Sequence, residues 1–183
     1  MRLARHPKAP WYLFILSFAE SSFFPIPPDV MLIPMALGNP KKWWRLAAIT
    51  TAASVLGGVA GYLIGVLAFE LVEPLLHQMN YWDKYLHVKE IMTEFGVLFV
   101  FVAAFTPVPY KLITIASGVL SLNPFLFIVA SIIGRGARFF MVAGLMAWGG
   151  ERMEAKIKQY VEWIGWAVIV LSVIVVVIWY MRH

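Results

Sequence analysis

Apolar residues in this chain fall in long runs punctuated by charges, not in the short alternations of a soluble sheet or the stripes of a soluble bundle. Four runs, 46–69, 91–121, 125–149 and 163–181, are long enough to cross or deeply enter a bilayer, which takes about 20 apolar residues per crossing. A fifth, 11–37, is apolar but carries Glu20 and Asp29 and is broken by prolines. Its break reads Phe24-Pro25-Ile26-Pro27-Pro28-Asp29; a second reads Phe105-Thr106-Pro107-Val108-Pro109-Tyr110-Lys111, and the two Pro-x-Pro cores lie 82 residues apart. Proline removes a backbone donor and disfavours helix in the residue before it, so Pro-x-Pro stops a helix twice over. In hydrocarbon the freed carbonyls need partners, so such breaks persist only inside protein or beside a watery cavity.

Paired broken segments at matching places in two halves point to a central transport site. The similarity extends beyond the prolines. Asn39-Pro40 precedes the Gly/Ala-rich stretch Ala47–Ala68, and Asn123-Pro124 precedes Phe125–Gly149; Asn-Pro is a helix-start signal in each case. The fold expected is an all-α integral membrane protein, one membrane domain over 1–183. It is an inverted repeat of two proline-broken re-entrant hairpins, each followed by a transmembrane helix, plus a C-terminal transmembrane helix. The first repeat, 10–69, holds hairpin 11–37 and helix 46–69. An external linker, 70–90, leads to the second repeat, 91–149, with hairpin 91–121 and helix 125–149. Helix 163–181 ends the plan, and Glu151 to Tyr160 is expected as a short charged surface helix. Gly57, Gly61 and Gly65 make one face smooth enough for close helix contact, either within the chain or as a homodimer seam.

Composition agrees: 61% of residues are hydrophobic and 14% charged, with a mean hydropathy of +0.78, outside the soluble range. With no cysteine, disulfides and thiolate chemistry are excluded. The four histidines have no helical metal-site spacing, and no metal or cofactor is expected. The net charge of +5 suits anionic lipid headgroups better than nucleic acid. The basic start, Met1 to Lys8, is expected to be retained as a cytoplasmic anchor. With both breaks at hairpin tips, nine Lys and Arg fall inside, three outside and three within the membrane; with both segments crossing, eight fall inside and four outside. Both obey the positive-inside tendency. Lys41-Lys42-Trp43-Trp44-Arg45, read as a cytoplasmic interfacial anchor, favours the hairpins.

Five ionisable residues lie at expected membrane depth: Glu20, Asp29, Lys111, Arg135 and Arg138. Unpaired, they would oppose insertion by about 12–17 kcal/mol in total, so pairing and water must offset much of that. Asp29 and Lys111 share the 82-residue offset, which would set them across the pseudo-two-fold axis as an exchanging acid–base pair or a static ion pair. Burial favours the neutral form of a carboxylic acid, as proton coupling at Glu20 and Asp29 requires; otherwise Glu20 faces the interface or binds the hairpin's free amides. Arg135 and Arg138, three apart, share a helix face. They present two guanidinium forks to a phosphate, neutralise Glu20 and Asp29, or do both.

At these residues the chain resembles the DedA family of membrane proteins, also called the VTT or SNARE-associated group, in its YqaA-like branch. The resemblance covers residues 10 to 150. It rests on Glu20 with Pro25-Ile26-Pro27-Pro28-Asp29, Pro34 to Gly38, Phe105-Thr106-Pro107 leading to Ser117-Gly118, and Gly134-Arg135-Gly136-Ala137-Arg138-Phe139. It implies opposed re-entrant hairpins, dependence on the proton-motive force and lipid translocation, with Glu20 and Asp29 in the family's acidic positions. Where the family commonly places arginines around its second proline motif, this chain has Phe105 and Tyr110-Lys111. Lys111 replaces charge there but not a bidentate fork.

The function expected is therefore a proton-motive-force-dependent flippase or scramblase in a bacterial inner membrane, N-terminus cytoplasmic. Its cargo would be a phosphate-bearing lipid such as undecaprenyl phosphate or a phospholipid. Glu20 and Asp29 would couple protons, and Lys111, Arg135 and Arg138 would bind the headgroup. The hairpin breaks would be Pro25, Pro27, Pro28, Pro107 and Pro109. The rivals are a proton-coupled small-ion or solute antiporter and a non-transporting assembly factor. An enzyme is not expected, because no Gly-x-Ser-x-Gly, His-Glu-x-x-His or Gly-x-Gly-Asp motif occurs.

Overall fold

A computed structural model of the chain describes residues 8–22, 27–106 and 110–149, with Trp163, Trp166, Ala167, Val170 and Ile174. Pro25, Pro107, Pro109, the surface helix at 151–160 and most of 163–181 lie outside the described residues. Six helices form the described part: α1 (Ala9–Ser22), α2 (Asp29–Gly38), α3 (Trp43–Gln78), α4 (Trp82–Phe105), α5 (Tyr110–Val119) and α6 (Pro124–Gly149). A single 3-10 turn, Pro40–Lys42, leads into α3. The expected all-helical class is correct for the described residues, and each proline break falls between two helices.

The two Asn-Pro pairs act differently. Asn123 caps α6, its Oδ1 accepting the amides of Phe125 at 3.0 Å and Leu126 at 3.2 Å, a regular N-cap. Asn39 ends α2, its amide donating to the Met35 carbonyl at 3.1 Å. The linker expected at 70–90 is mostly helix. α3 runs through Pro74 to Gln78 and α4 begins at Trp82, so the turn is Met79–Tyr81, with Asn80 at φ 55°. Glu and Leu are good helix formers, and the charges of 70–78 decorate an exposed helix instead of breaking it.

Side-chain register gives each helix its direction. Ser17 meets Thr50, Ser21 meets Ser54 and Ser22 meets Gly57, so α1 and α3 run the same way. Leu32, Ile33, Met35 and Ala36 of α2 share a core with Phe139, Val142, Ala143 and Met146 of α6 and with Ala9, Leu13, Leu46 and Ala47. The chain thus turns back along α2 to the end where α1 began. α5 follows α3 in parallel, with Tyr110 on Gly58, Thr114 on Gly61 and Gly118 on Gly65. α6 runs against α3, since Arg135 bonds Ser54 while Trp43 packs on Phe140 and Gly144. α4 runs with α6, Ala104 lying on Gly134 and Thr106 on Arg138.

The glycine face is used within the chain. A methyl group at Gly57 would strike the Phe18 carbonyl oxygen, one at Gly61 the Thr114 hydroxyl, and one at Gly65 the Ile115 carbonyl oxygen. These absent side chains let α1 and α5 press their backbones onto α3, the close packing that small residues permit in a membrane.

Two stretches, Pro40–Gln78 and Pro124–Gly149, are long and apolar enough to cross a membrane, and only 28% and 39% of their most apolar windows are buried. A soluble core helix would turn that surface inward. Here Leu56, Leu63, Leu67, Ile132 and Ile133 point out of the bundle, as lipid-facing residues do. The five helices that meet around α6 nevertheless enclose a polar interior.

Candidate functional site

The interior polar cluster begins with α1. Ser17 donates to the Thr50 carbonyl at 2.8 Å and Ser22 to the Gly57 carbonyl at 3.0 Å, so hydroxyls stitch the seam that Gly57 opens. Glu20 and Ser21 sit on this seam facing α6. Arg135 donates from Nη2 to the Glu20 carboxylate and to Ser21 at 2.9 Å, and from Nε to Ser54 at 2.5 Å. Ser21 completes the circuit, its hydroxyl contacting Ser54 at 2.7 Å and Glu20 at 3.0 Å. The guanidinium also lies over two rings, 4.5 Å from the Tyr110 centroid and 5.1 Å from that of Phe139, a favourable cation–π placement. Tyr110 is fixed in turn by donating to Ser131 at 2.5 Å. Only 2% of Arg135 is exposed. The charges of this pair cancel, and none of its buried polar atoms is among those left without a partner.

Arg138, one turn further along α6, spans the two breaks. Its Nη2 donates to Asp29 Oδ2 at 2.7 Å, at the first residue of α2, and its Nη1 donates to the Thr106 carbonyl at 2.7 Å, at the end of α4. Each contact is chemically apt. A carbonyl at a helix C-terminus carries negative partial charge and needs a donor, and a cation there is favoured. Yet Arg138 Nε, Asp29 Oδ1 and Thr106 Oγ1 are buried with no hydrogen-bond partner among the described residues. A side-on arginine–carboxylate pair would use two parallel bonds; this one uses one and leaves the second donor and acceptor open. Such orphaned groups are rare in folded proteins and have capacity left for water, an ion or a ligand. The site is also less sealed, with 20% of the Asp29 side chain exposed.

The four charges Glu20, Asp29, Arg135 and Arg138 are thus brought together as two adjacent pairs. Lys111 does not join them. Asp29 is held by Arg138, and among the described residues Lys111 makes no ion pair. The expected Asp29–Lys111 ion pair is not made in this structure, where α2 packs chiefly on α6 and α5 chiefly on α3. A shared sequence offset does not place two residues on touching faces. Of the break residues described, Pro27 and Pro28 start α2, their carbonyls accepting the amides of Val30, Met31 and Leu32. Sequence reasoning missed Ser21, Ser54, Thr106 and Tyr110. The signal available was a hydroxyl placed four residues from another, or beside a break, in an apolar run.

A family model, the VTT domain, matches residues 26–148, which include α2, both arginines and the second break. The chain is 45% identical to a Haemophilus influenzae protein over 174 residues, covering 95% of this chain and 91% of that one. An HI0703 homolog from Histophilus somni is 39% identical, covering 96% of this chain and 92% of its own. A Methanocaldococcus jannaschii protein is 28% identical, covering 71% and 79%. No solved structure matches the chain. The matched span and the close relatives together make the conclusion plain: this chain is a membrane protein of the VTT domain family, the DedA family.

Proposed function

We propose that the protein is a proton-coupled translocase of a phosphate-bearing lipid, and that the Arg138–Asp29 pair is its exchangeable site. The observation that carries this is the half-made ion pair between the two proline breaks, with Nε, Oδ1 and the Thr106 hydroxyl left open. In the ionised state Asp29 occupies the guanidinium. Protonating Asp29 frees Nη2, which then joins Nε as a two-pronged donor to a phosphate. Loss of the proton restores the carboxylate, which displaces the anion. Arg135 and Glu20 stay closed and hold α1, α3 and α6 in register around the site.

The register of the helices supports a re-entrant, inverted arrangement. α1 and α2 are too short to cross, and the chain returns to the end it left. α4–α5–α6 runs opposite to α1–α2–α3, and the middle helix of each unit, α2 or α5, packs chiefly on the long third helix of the other. Inverted units about a central site built from broken helices are the architecture of alternating-access carriers. The setting we propose is a bacterial inner membrane with the N-terminus cytoplasmic.

The test is leaflet-to-leaflet movement of labelled phosphate-bearing lipid, phospholipid and undecaprenyl phosphate in separate runs, in proteoliposomes with and without an imposed pH gradient. Wild type is expected to move one or both in a gradient-dependent way, with the movement abolished in Arg138→Ala and uncoupled from the gradient in Asp29→Asn. Full transport by Arg138→Ala would overturn the site. Gradient-driven flux of a soluble ion with no lipid movement would favour an antiporter instead.

A further inference from the structure

We infer that the Arg138 site accepts one negative charge per proton, so that its ligand is a phosphodiester headgroup, or a phosphomonoester in its singly charged form, and not a dianion. This rests on the anion-binding reading above and narrows it to a charge class.

The argument is a charge balance over the interior. α2 carries no acidic or basic residue besides Asp29, and α6 none besides Arg135 and Arg138. α3 has none between Arg45 and Glu70, α4 none between Glu94 and its end, and α5 only Lys111. On α1 the one such residue is Glu20. The Glu20–Arg135 pair sums to zero and its polar partners are in place. With Asp29 ionised the second pair also sums to zero; with Asp29 protonated it carries a single positive charge. Lys111 lies on α5, which packs chiefly on α3, and it pairs with no carboxylate among the described residues.

A singly charged phosphate therefore makes the protonated site neutral. A doubly charged one leaves a net negative charge in a water-poor interior, which is strongly unfavourable. The donor set has the matching size. Freed Nη2 and the open Nε reach two oxygens of one phosphate, and the Thr106 hydroxyl supplies one further donor. The cycle balances: a proton adds to the Asp29 carboxylate, the anion takes its place on Arg138, and departure of both restores the ion pair. Proton and anion move together with no net charge.

Binding to the detergent-solubilised full-length protein tests this with two soluble probes of matched tail, hexyl methyl phosphate (singly charged) and hexyl phosphate (doubly charged once fully ionised). Calorimetric titration across a pH series is expected to show the diester binding. Its affinity should fall with rising pH, by about tenfold per unit, the signature of one linked proton. The monoester should bind only where it is singly charged. Asp29→Asn should bind the diester independently of pH, Arg138→Lys should bind it at least tenfold more weakly, and Lys111→Gln should match wild type. Tighter binding of the fully ionised monoester, or loss of binding in Lys111→Gln, would overturn the single-charge site while leaving an anion site standing. Wild type that binds neither probe at any pH would defeat the anion-binding reading itself, and this inference with it.

Discussion

Arg135 and Arg138 stand one turn apart on the same helix, each facing a carboxylate of the first broken segment, yet their surroundings differ. Arg135 spreads its donors over Glu20, Ser21 and Ser54 and is covered by two aromatic rings. Arg138 meets Asp29 through one bond and a helix-end carbonyl through another, and leaves a donor and two acceptor-bearing groups unmatched. A buried charge pair is costly unless its remaining lone pairs and protons are satisfied. The first pair leaves no buried atom without a partner, whereas Arg138 Nε, Asp29 Oδ1 and the Thr106 hydroxyl at the second have none among the described residues. A closed pair suits a rigid frame, and the open atoms of the second are the ones that the exchange proposed above would use.

The comparison breaks most visibly on removing each arginine. Arg135→Leu strands Glu20 without a partner and is expected to lose about 3–5 kcal/mol of stability, read as a lower midpoint of unfolding in detergent. Glu20→Gln in the same chain should recover part of that loss. Arg138→Leu should cost less, about 1.5–3 kcal/mol, because Asp29 keeps some solvent access, while transport is abolished. Equal losses from the two variants would mean that the pairs are equivalent.

Next in size are the glycines that set the frame. Gly57→Ala drives a methyl into the Phe18 carbonyl of the helix that carries Glu20, and should cost about 1–3 kcal/mol. Gly136, between the two arginines, faces Thr51 at 3.7 Å, so Gly136→Ala makes an ordinary contact and should stay within about 0.5 kcal/mol of wild type. Smaller still, Tyr110→Phe removes one hydrogen bond to Ser131 but keeps the ring under Arg135. It should cost about 1 kcal/mol with transport preserved. Ser117, whose buried hydroxyl has no partner, should tolerate alanine without loss.

Much of the frame was legible because its signals are local. Proline breaks, apolar run lengths and the every-fourth-residue glycines depend on single segments, and the helices appear where those patterns end. Arg135 and Arg138 could be grouped from their spacing, and Glu20 and Asp29 from their rarity at membrane depth. That the arginines neutralise Glu20 and Asp29 was legible as one alternative, but which partner each takes was not. Asp29 and Lys111 correspond by offset, but contact depends on which short helix crosses which long one, and α2 lies on α6. The helical course of 70–90 was hidden because charges in a sequence look alike in an exposed helix and in a loop. Thr106 was hidden because its role belongs to a backbone carbonyl that any residue could supply, and Ser54 because a serine among alanines reads as packing.

The asymmetry between the two pairs is tested most directly by infrared difference spectroscopy of the protein in lipid, acidic minus alkaline, comparing wild type with Asp29→Asn and Glu20→Gln. If Asp29 is the exchanging group, the carboxylic-acid carbonyl band that grows on acidification disappears in Asp29→Asn and persists in Glu20→Gln. A band that persists in Asp29→Asn and disappears in Glu20→Gln would place the proton on the sealed pair and contradict the division of labour between the two arginines.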